Sequence, residues 1–261
     1  MNDFENLLVE IADGIALVTV NRPSSLNSLN PATIAELGRA LEALEQDRNV
    51  RVVILTGAGS RAFIAGGDIS VMAPLGPMEA REVARNAQKL FCQIEKMPKV
   101  VIAAINGYAL GGGCELAMAC DIRLAARSAR LGQPEVNLGI IPGWAGTQRL
   151  PRLVGKGIAK QLLITGEMVP AERAREIGLV NEVYPDDELL DAARRMARTI
   201  ADKPQVAVRL IKEAVDNGLE MESERAFEYE ADLFGLCFAT EDQKEGMAAF
   251  LEKREPEWKH Q

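Results

Sequence analysis

Two short apolar runs, VVIL at residues 52–55 and VVIAAI at residues 100–105, constrain this chain most. Each ends in a polar residue followed by glycine, Thr56-Gly57 and Asn106-Gly107, and a long segment of helical character over residues 78–96, stopping before Pro98, lies between them. Strand, helix and strand in that order predict stacked βαβ units rather than an all-helical fold. The start of the chain reads as a hairpin, with strands over residues 7–11 and 15–20 around Asp13-Gly14. A helix follows it. Asn30 is a good N-cap with Pro31 at the first helical position, and Ile34, Leu37, Leu41 and Leu44 form a stripe at helical spacing. After Gly155 the character changes, and residues 159–164, 171–177, 189–200, 206–216 and 223–250 all read as helices, so the last third is expected to be a helical appendage.

Composition narrows the function classes. With 261 residues, 48% hydrophobic and 26% charged, the chain is long enough for one large domain and a smaller appendage. A net charge of −8 without any basic run argues against a nucleic-acid partner. The longest apolar stretch, residues 100–110, is interrupted by Asn106 and Gly107 and is too short to span a bilayer. The opening MNDFENLLVE has neither a signal-peptide core nor a basic amphipathic leader, so a cytoplasmic location is expected. Cys92, Cys114, Cys120 and Cys237 form no CxxC pair and read as free thiols. The only histidine, His260, sits in the charged tail, which leaves no residue for a histidine triad or a histidine-rich metal site. Metal binding through carboxylates alone stays open, although neither EF-hand spacing nor HExxH occurs; no metal is expected.

Glycine clusters and two glutamates carry the chemistry. The string at residues 57–62 matches the dinucleotide pattern GxGxxA, but Gly66-Gly67 stands where the pyrophosphate-binding helix would begin, so the match is a decoy. Gly66-Gly67 and the run Gly111-Gly112-Gly113 each precede an expected helix start, at Asp68 and near Cys114. Helix N-termini present unpaired N–H groups, and two of them facing each other would hold an oxyanion. Glu115 is expected to head an apolar helix over residues 116–120, an uncomfortable place for a charge, and Glu135 follows Gln133-Pro134. Carboxylates beside backbone donors are a minimal kit for proton transfer next to a polarised carbonyl. For each glutamate alone, a helix-dipole contact or an exposed loop position is an equally physical account.

Together these strings carry a resemblance. AFIAGGDI, NGYALGGGCELAMACDIRLA, LGQPEVNLGIIPGWAGTQRL and FATEDQKEGMAAFLEKR closely resemble the enoyl-CoA hydratase (crotonase) family, essentially end to end. Within the family the chain looks most like short-chain enoyl-CoA hydratases and 3-hydroxybutyryl-CoA dehydratases. The resemblance implies an α/β fold, a spiral of ββα units over residues 1–200, with a helical trimerisation region over residues 201–261 and assembly as a homotrimer or a dimer of trimers. It further implies an oxyanion hole made by the N–H groups of Gly67 and Gly112, and Glu115 and Glu135 as the catalytic acids that add water to a trans-2-enoyl thioester. Gly67 stands where many hydratases have alanine, a change expected to be harmless. CoA, as part of the substrate and with no further cofactor, is expected along Ser24, Ser25, Leu26 and Asn27, along Ala65, Gly66, Asp68 and Ile69, and at Gly111. Lys253 and Arg254 are candidates for charge lent by a neighbouring subunit. Met72, Leu75 and Trp144 are expected at the acyl pocket, and the alternative activity is an isomerase or a hydratase of an unusual acyl group on the same scaffold.

Overall fold

The computed structural model describes residues 4–260. Strands β1 (Leu7–Ala12) and β2 (Ile15–Val20) pair antiparallel around Asp13 and Gly14, whose φ values of 52° and 79° are those a two-residue hairpin turn demands. Helix α1 (Pro31–Gln46) begins where Asn30 accepts a 2.8 Å hydrogen bond from Thr33 N–H, and it buries Leu37, Leu41 and Leu44. Three turns of one pattern follow. The first is β3 (Val52–Gly57), β4 (Ala62–Ile64), the single-turn helix α2 (Ile69–Met72) and α3 (Pro77–Lys96). The second is β5 (Val100–Ile105), β6 (Tyr108–Leu110) and α4 (Gly112–Ala119). The third is β7 (Ile122–Ala126), β8 (Arg130–Gly132), a 3₁₀ turn over Pro134–Leu138, then α5 (Gly146–Val154) and α6 (Lys156–Thr165).

In each turn the long strand joins a six-stranded sheet of order β1-β2-β3-β5-β7-β10, and the short strand joins a second sheet of order β4-β6-β8-β9. The two last strands come from β9 (Met168–Pro170) and, after α7 (Ala171–Glu176), β10 (Glu182–Tyr184). The chain is therefore the expected spiral of ββα units. Every residue of β3 and β5 is buried, as parallel strands covered on both faces require. Residues 57–62 run from the end of β3 into a strand rather than a helix, so the GxGxxA pattern presents no helix N-terminus to a pyrophosphate.

The helical appendage starts later than Gly155. Between there and residue 201 the chain still supplies β9 and β10, and helix α8 (Leu189–Ala201) lays Ala193 and Ala197 into the core. The contiguous apolar core ends at Ala201. Beyond it stand α9 (Gln205–Gly218), α10 (Ser223–Cys237) and α11 (Glu241–Glu252). The single helix expected over residues 223–250 is divided in two, because the Thr240 hydroxyl accepts from Gln243 N–H at 3.1 Å and caps a new start. Among the described residues no helix is long and apolar enough to cross a membrane.

Candidate active site

The spiral brings three distant loops to one edge. Strands β4, β6 and β8 are neighbours and parallel, with Ala62 opposite Tyr108 and Leu110 opposite Gly132. The loops that leave their carboxyl ends, residues 65–68, 111–115 and 133–135, therefore emerge side by side, where open parallel sheets bind ligands.

The first loop is zipped to the segment after β2. Ala65 N–H donates to Leu26 O, Leu29 N–H to Gly66 O and Asp68 N–H to Leu29 O, while Gly67 N–H takes no part in that crossing. In the second loop Gly111 has φ 50° and ψ −124°, a conformation for glycine, and α4 starts at Gly112, two residues before the start expected near Cys114. Gly112 N–H has no acceptor within the helix by its position. Gly113 must be glycine because a Cβ there would run into the carbonyl of Ile64 in β4. Thus Glu115 is the fourth residue of its helix rather than its head.

Glu115 is 1% exposed. Its Oε1 accepts Trp144 N–H at 2.8 Å and Gly146 N–H at 2.6 Å. Those two amides converge because Ala145 between them is held at φ 78°, a left-handed conformation that costs about 1–2 kcal/mol for a residue with a Cβ. The turn is held from behind by Arg149, which donates to Trp144 O at 2.9 Å and makes two bonds to Glu95 at 2.6 and 2.7 Å. Burial pushes the Glu115 carboxyl up to about 7, the Glu135 charge adds to the rise, and the two backbone donors oppose it.

Glu135 lies in the 3₁₀ turn after β8, and burial raises its carboxyl as well. Its Oε1 would stand 2.8 Å from a Cβ on Gly111, so the carboxylate lies against the start of α4, and its Oε2 is buried without a protein partner. Gln133, fully enclosed beside it, donates through Nε2 to Gly111 O at 3.3 Å and leaves Oε1 unpaired. Buried unpaired acceptors at the mouth of a helix are places for a bound polar group. Sequence reasoning missed Gln133, Arg149 and the strained Ala145; only the position of Gln133 within the Gln-Pro-Glu string hinted at one of them. Burial pushes the neighbouring Cys114 thiol up to about 12, which leaves it protonated and unreactive.

The remaining expected contacts divide. Ser24, Ser25 and Ile69 are exposed beside the first loop, whereas Asn27 is a buried bracket: its Nδ2 donates to Ala58 O and Ala62 O, and its Oδ1 accepts from Arg22 N–H. Leu26 and Asn27 both adopt positive φ, 51° and 58°, to make that bracket. Asp68 is held by Ser70 Oγ at 2.7 Å and Arg22 Nη2 at 3.2 Å, and those partners keep its carboxyl below the usual range. Met72 and Trp144 both reach Gly67. Leu75 is half-buried, and its N–H donates to Met72 O at 3.1 Å.

A family profile described as "Enoyl-CoA hydratase/isomerase" matches residues 10–261. The chain is 53% identical to a crotonyl-CoA hydratase of Syntrophomonas wolfei over 96% of both chains. It is 48% identical to a short-chain-enoyl-CoA hydratase of Clostridium acetobutylicum over 98% of both. Its fold superposes on the crystal structure of an enoyl-CoA hydratase from Bacillus anthracis with a TM-score of 0.95 at 43% identity, covering 98% of this chain and 100% of that one. One buried and one half-buried carboxylate beside glycine turns, on a spiral matched along nearly its whole length, leave one assignment: the chain belongs to the enoyl-CoA hydratase/isomerase family.

Proposed function

We propose that this protein is an enoyl-CoA hydratase acting reversibly on short trans-2-enoyl-CoA thioesters. The observation that carries the reading is the pair of carboxyls, Glu115 buried in the first turn of the helix that opens with Gly112 and Glu135 half-buried against Gly111 just before it, both raised by burial. The thioester oxygen accepts the N–H groups of Gly67 and Gly112, which stabilise the enolate charge as it develops. Water held by the carboxylates adds its oxygen to Cβ while a proton reaches Cα, so the elements of one water enter and no oxidant, metal or cofactor is consumed. Glu135, whose Oε2 is free of protein partners, is the proton donor to Cα; Glu115, tethered through Oε1, holds and deprotonates the water.

Incubation with crotonyl-CoA, read by mass, tests this. A gain of one water and loss of the conjugated thioester absorbance are expected. An unchanged mass, with a 3-enoyl thioester moved into conjugation, would establish the isomerase instead.

The CoA moiety runs along Ser24, Ser25 and the backbone of residues 65–69, with Asn27 acting through the loop it braces. Arg254 is already paired with Glu245 and with Glu252 at 2.7 Å, so Lys253 is the better of the two candidates for a phosphate. Residues 201–261 serve as an oligomerisation region. Support comes from their exposed apolar residues: Phe227, Phe234, Leu236 and Phe238 are all exposed, whereas Leu233 is buried, and Phe250 is 83% exposed. Large apolar side chains exposed in number on neighbouring helices mark an interface. Light scattering should give three or six subunits, and Phe234→Glu together with Phe250→Glu should shift the mass downward; a monomer at wild-type activity would refute the assembly.

A further inference from the structure

The clamp on Glu115 is a backbone concavity that the chain around it does not favour. Trp144 keeps a negative φ, whereas Ala145 next to it is left-handed at φ 78° and ψ 20°. That change of hand turns the N–H groups of Trp144 and Gly146 toward one point, which Glu115 Oε1 occupies at 2.8 and 2.6 Å. A right-handed Ala145 would end the convergence, since successive N–H groups of a helix point the same way along its axis. The relaxed alternative lies one residue away. Helix α5 begins at Gly146, and extending it backward over Ala145 would release Ala145 from the left-handed region.

One carbonyl decides between the two conformations. In a continued helix the Trp144 carbonyl would accept from Gln148 N–H, four residues on. Gln148 N–H donates instead to Ala145 O at 3.0 Å, so the carbonyl of the buried Trp144 needs a donor from elsewhere. Arg149 supplies it. Its Nη1 donates to Trp144 O at 2.9 Å, and its backbone N–H donates to Ala145 O at 2.9 Å, so one residue holds the carbonyls on both sides of Ala145. The guanidinium is fixed in turn by Glu95 of α3, at 2.6 Å from Nε and 2.7 Å from Nη2, and by the Phe91 ring, whose centroid lies 5.8 Å from Cζ.

We propose that Arg149, oriented by Glu95, is a positioning residue for the hydration step: by taking over the Trp144 carbonyl it keeps Ala145 left-handed and both amides on Glu115. This rests on the hydratase reading given above. Arg149 lines the cleft between α3, α5 and α9 and acts through the backbone of the turn. Its loss leaves the Trp144 carbonyl to Gln148 N–H, which carries Ala145 into the helix and draws the two donors off the carboxyl. Glu115 is then no longer fixed relative to the groups it works with.

The test measures kcat and KM for crotonyl-CoA in Arg149→Met, with alanine and with glycine at position 145, each variant checked for folding by circular dichroism. With Ala145 in place, Arg149→Met should lower kcat by about tenfold to a hundredfold, the cost of a misplaced group, and leave KM within about threefold of wild type. Glycine takes the left-handed conformation without strain and resists being drawn into a helix, so in the Ala145→Gly background the same loss should shrink by about tenfold. Glu95→Gln, which keeps Arg149 but removes the charge that orients it, should show the same split between kcat and KM in smaller measure. Glu95 has 37% of its side chain exposed, so water can solvate it once the guanidinium is gone. Should Arg149→Met not fold, Arg149→Lys and Glu95→Gln carry the comparison in both backgrounds, because a lysine offers one point donor where the fork serves two partners. A kcat equal to wild type in the folded variants, a raised KM with kcat intact, or a kcat loss of the same size with alanine and glycine at position 145 overturns the proposal and leaves Arg149 as packing. If the wild type does not hydrate crotonyl-CoA, the hydratase reading itself falls, an outcome separate from any comparison among variants of an active enzyme.

Discussion

Replacing Glu135 with glutamine is expected to lower turnover of crotonyl-CoA by at least about a hundredfold while leaving its KM nearly unchanged. The amide has the shape of the carboxyl, and Glu135 Oε2 makes no bond to protein that the change could break. What disappears is the transferable proton. Steady-state kinetics by thioester absorbance would check this, and turnover within a few-fold of wild type would remove Glu135 from the mechanism.

Glu115→Gln should combine a comparable loss of hydration with a gain in stability. The Glu115 carboxyl titrates at about 7 in the folded protein against an ordinary value of 4.5. Between those values the folded state holds one proton more than the unfolded chain, so stability falls as pH rises through the window. The total is about 3 kcal/mol, since each tenfold change in proton affinity is worth roughly 1.4 kcal/mol, and it persists at every pH above the window. Below about pH 4.5 both states are protonated and the penalty is absent. A neutral amide carries no such penalty, and its oxygen still accepts the Trp144 and Gly146 N–H groups. Melting curves should therefore place Glu115→Gln several degrees above wild type at pH 8 and close to it at pH 4.5. A variant less stable than wild type at pH 8 would mean that the carboxylate is compensated in the fold, and hydration that survives Glu115→Gln would hand the assignment to the isomerase. The combination of lost activity and gained stability is the mark of a group kept for chemistry at a cost to the fold.

Local signals were legible in the residues themselves. The Asp13-Gly14 turn, the Asn30 cap with Pro31 behind it, and the buried runs of β3 and β5 depend on neighbours a few positions away, and each stands where its residues place it. Elements without local signals were not legible. Strands β6, β8 and β9 have three residues each, too few for a periodicity, and exist because they complete a ladder with one another. The start of α4 lies inside a glycine run that weakens a helix on propensity alone, and Gly113 is there to let the helix touch the Ile64 carbonyl of a strand some fifty residues earlier in the chain.

The same division runs through the site. The residue types pointed to the two glycine clusters and to Glu115 and Glu135, and the family resemblance of the surrounding strings narrowed the clusters to Gly67 and Gly112. Only the tertiary structure decided how those groups stand. The registry of β4, β6 and β8 sets the three loops at one edge; the turn over residues 144–146, bent by Ala145 and backed by Arg149, clamps Glu115 and carries the indole that leaves no room for a side chain at Gly112. Burial, close approach and the raised carboxyls are properties of atoms brought together from 24 to 77 positions apart, and no window of sequence contains the desolvation that produces them.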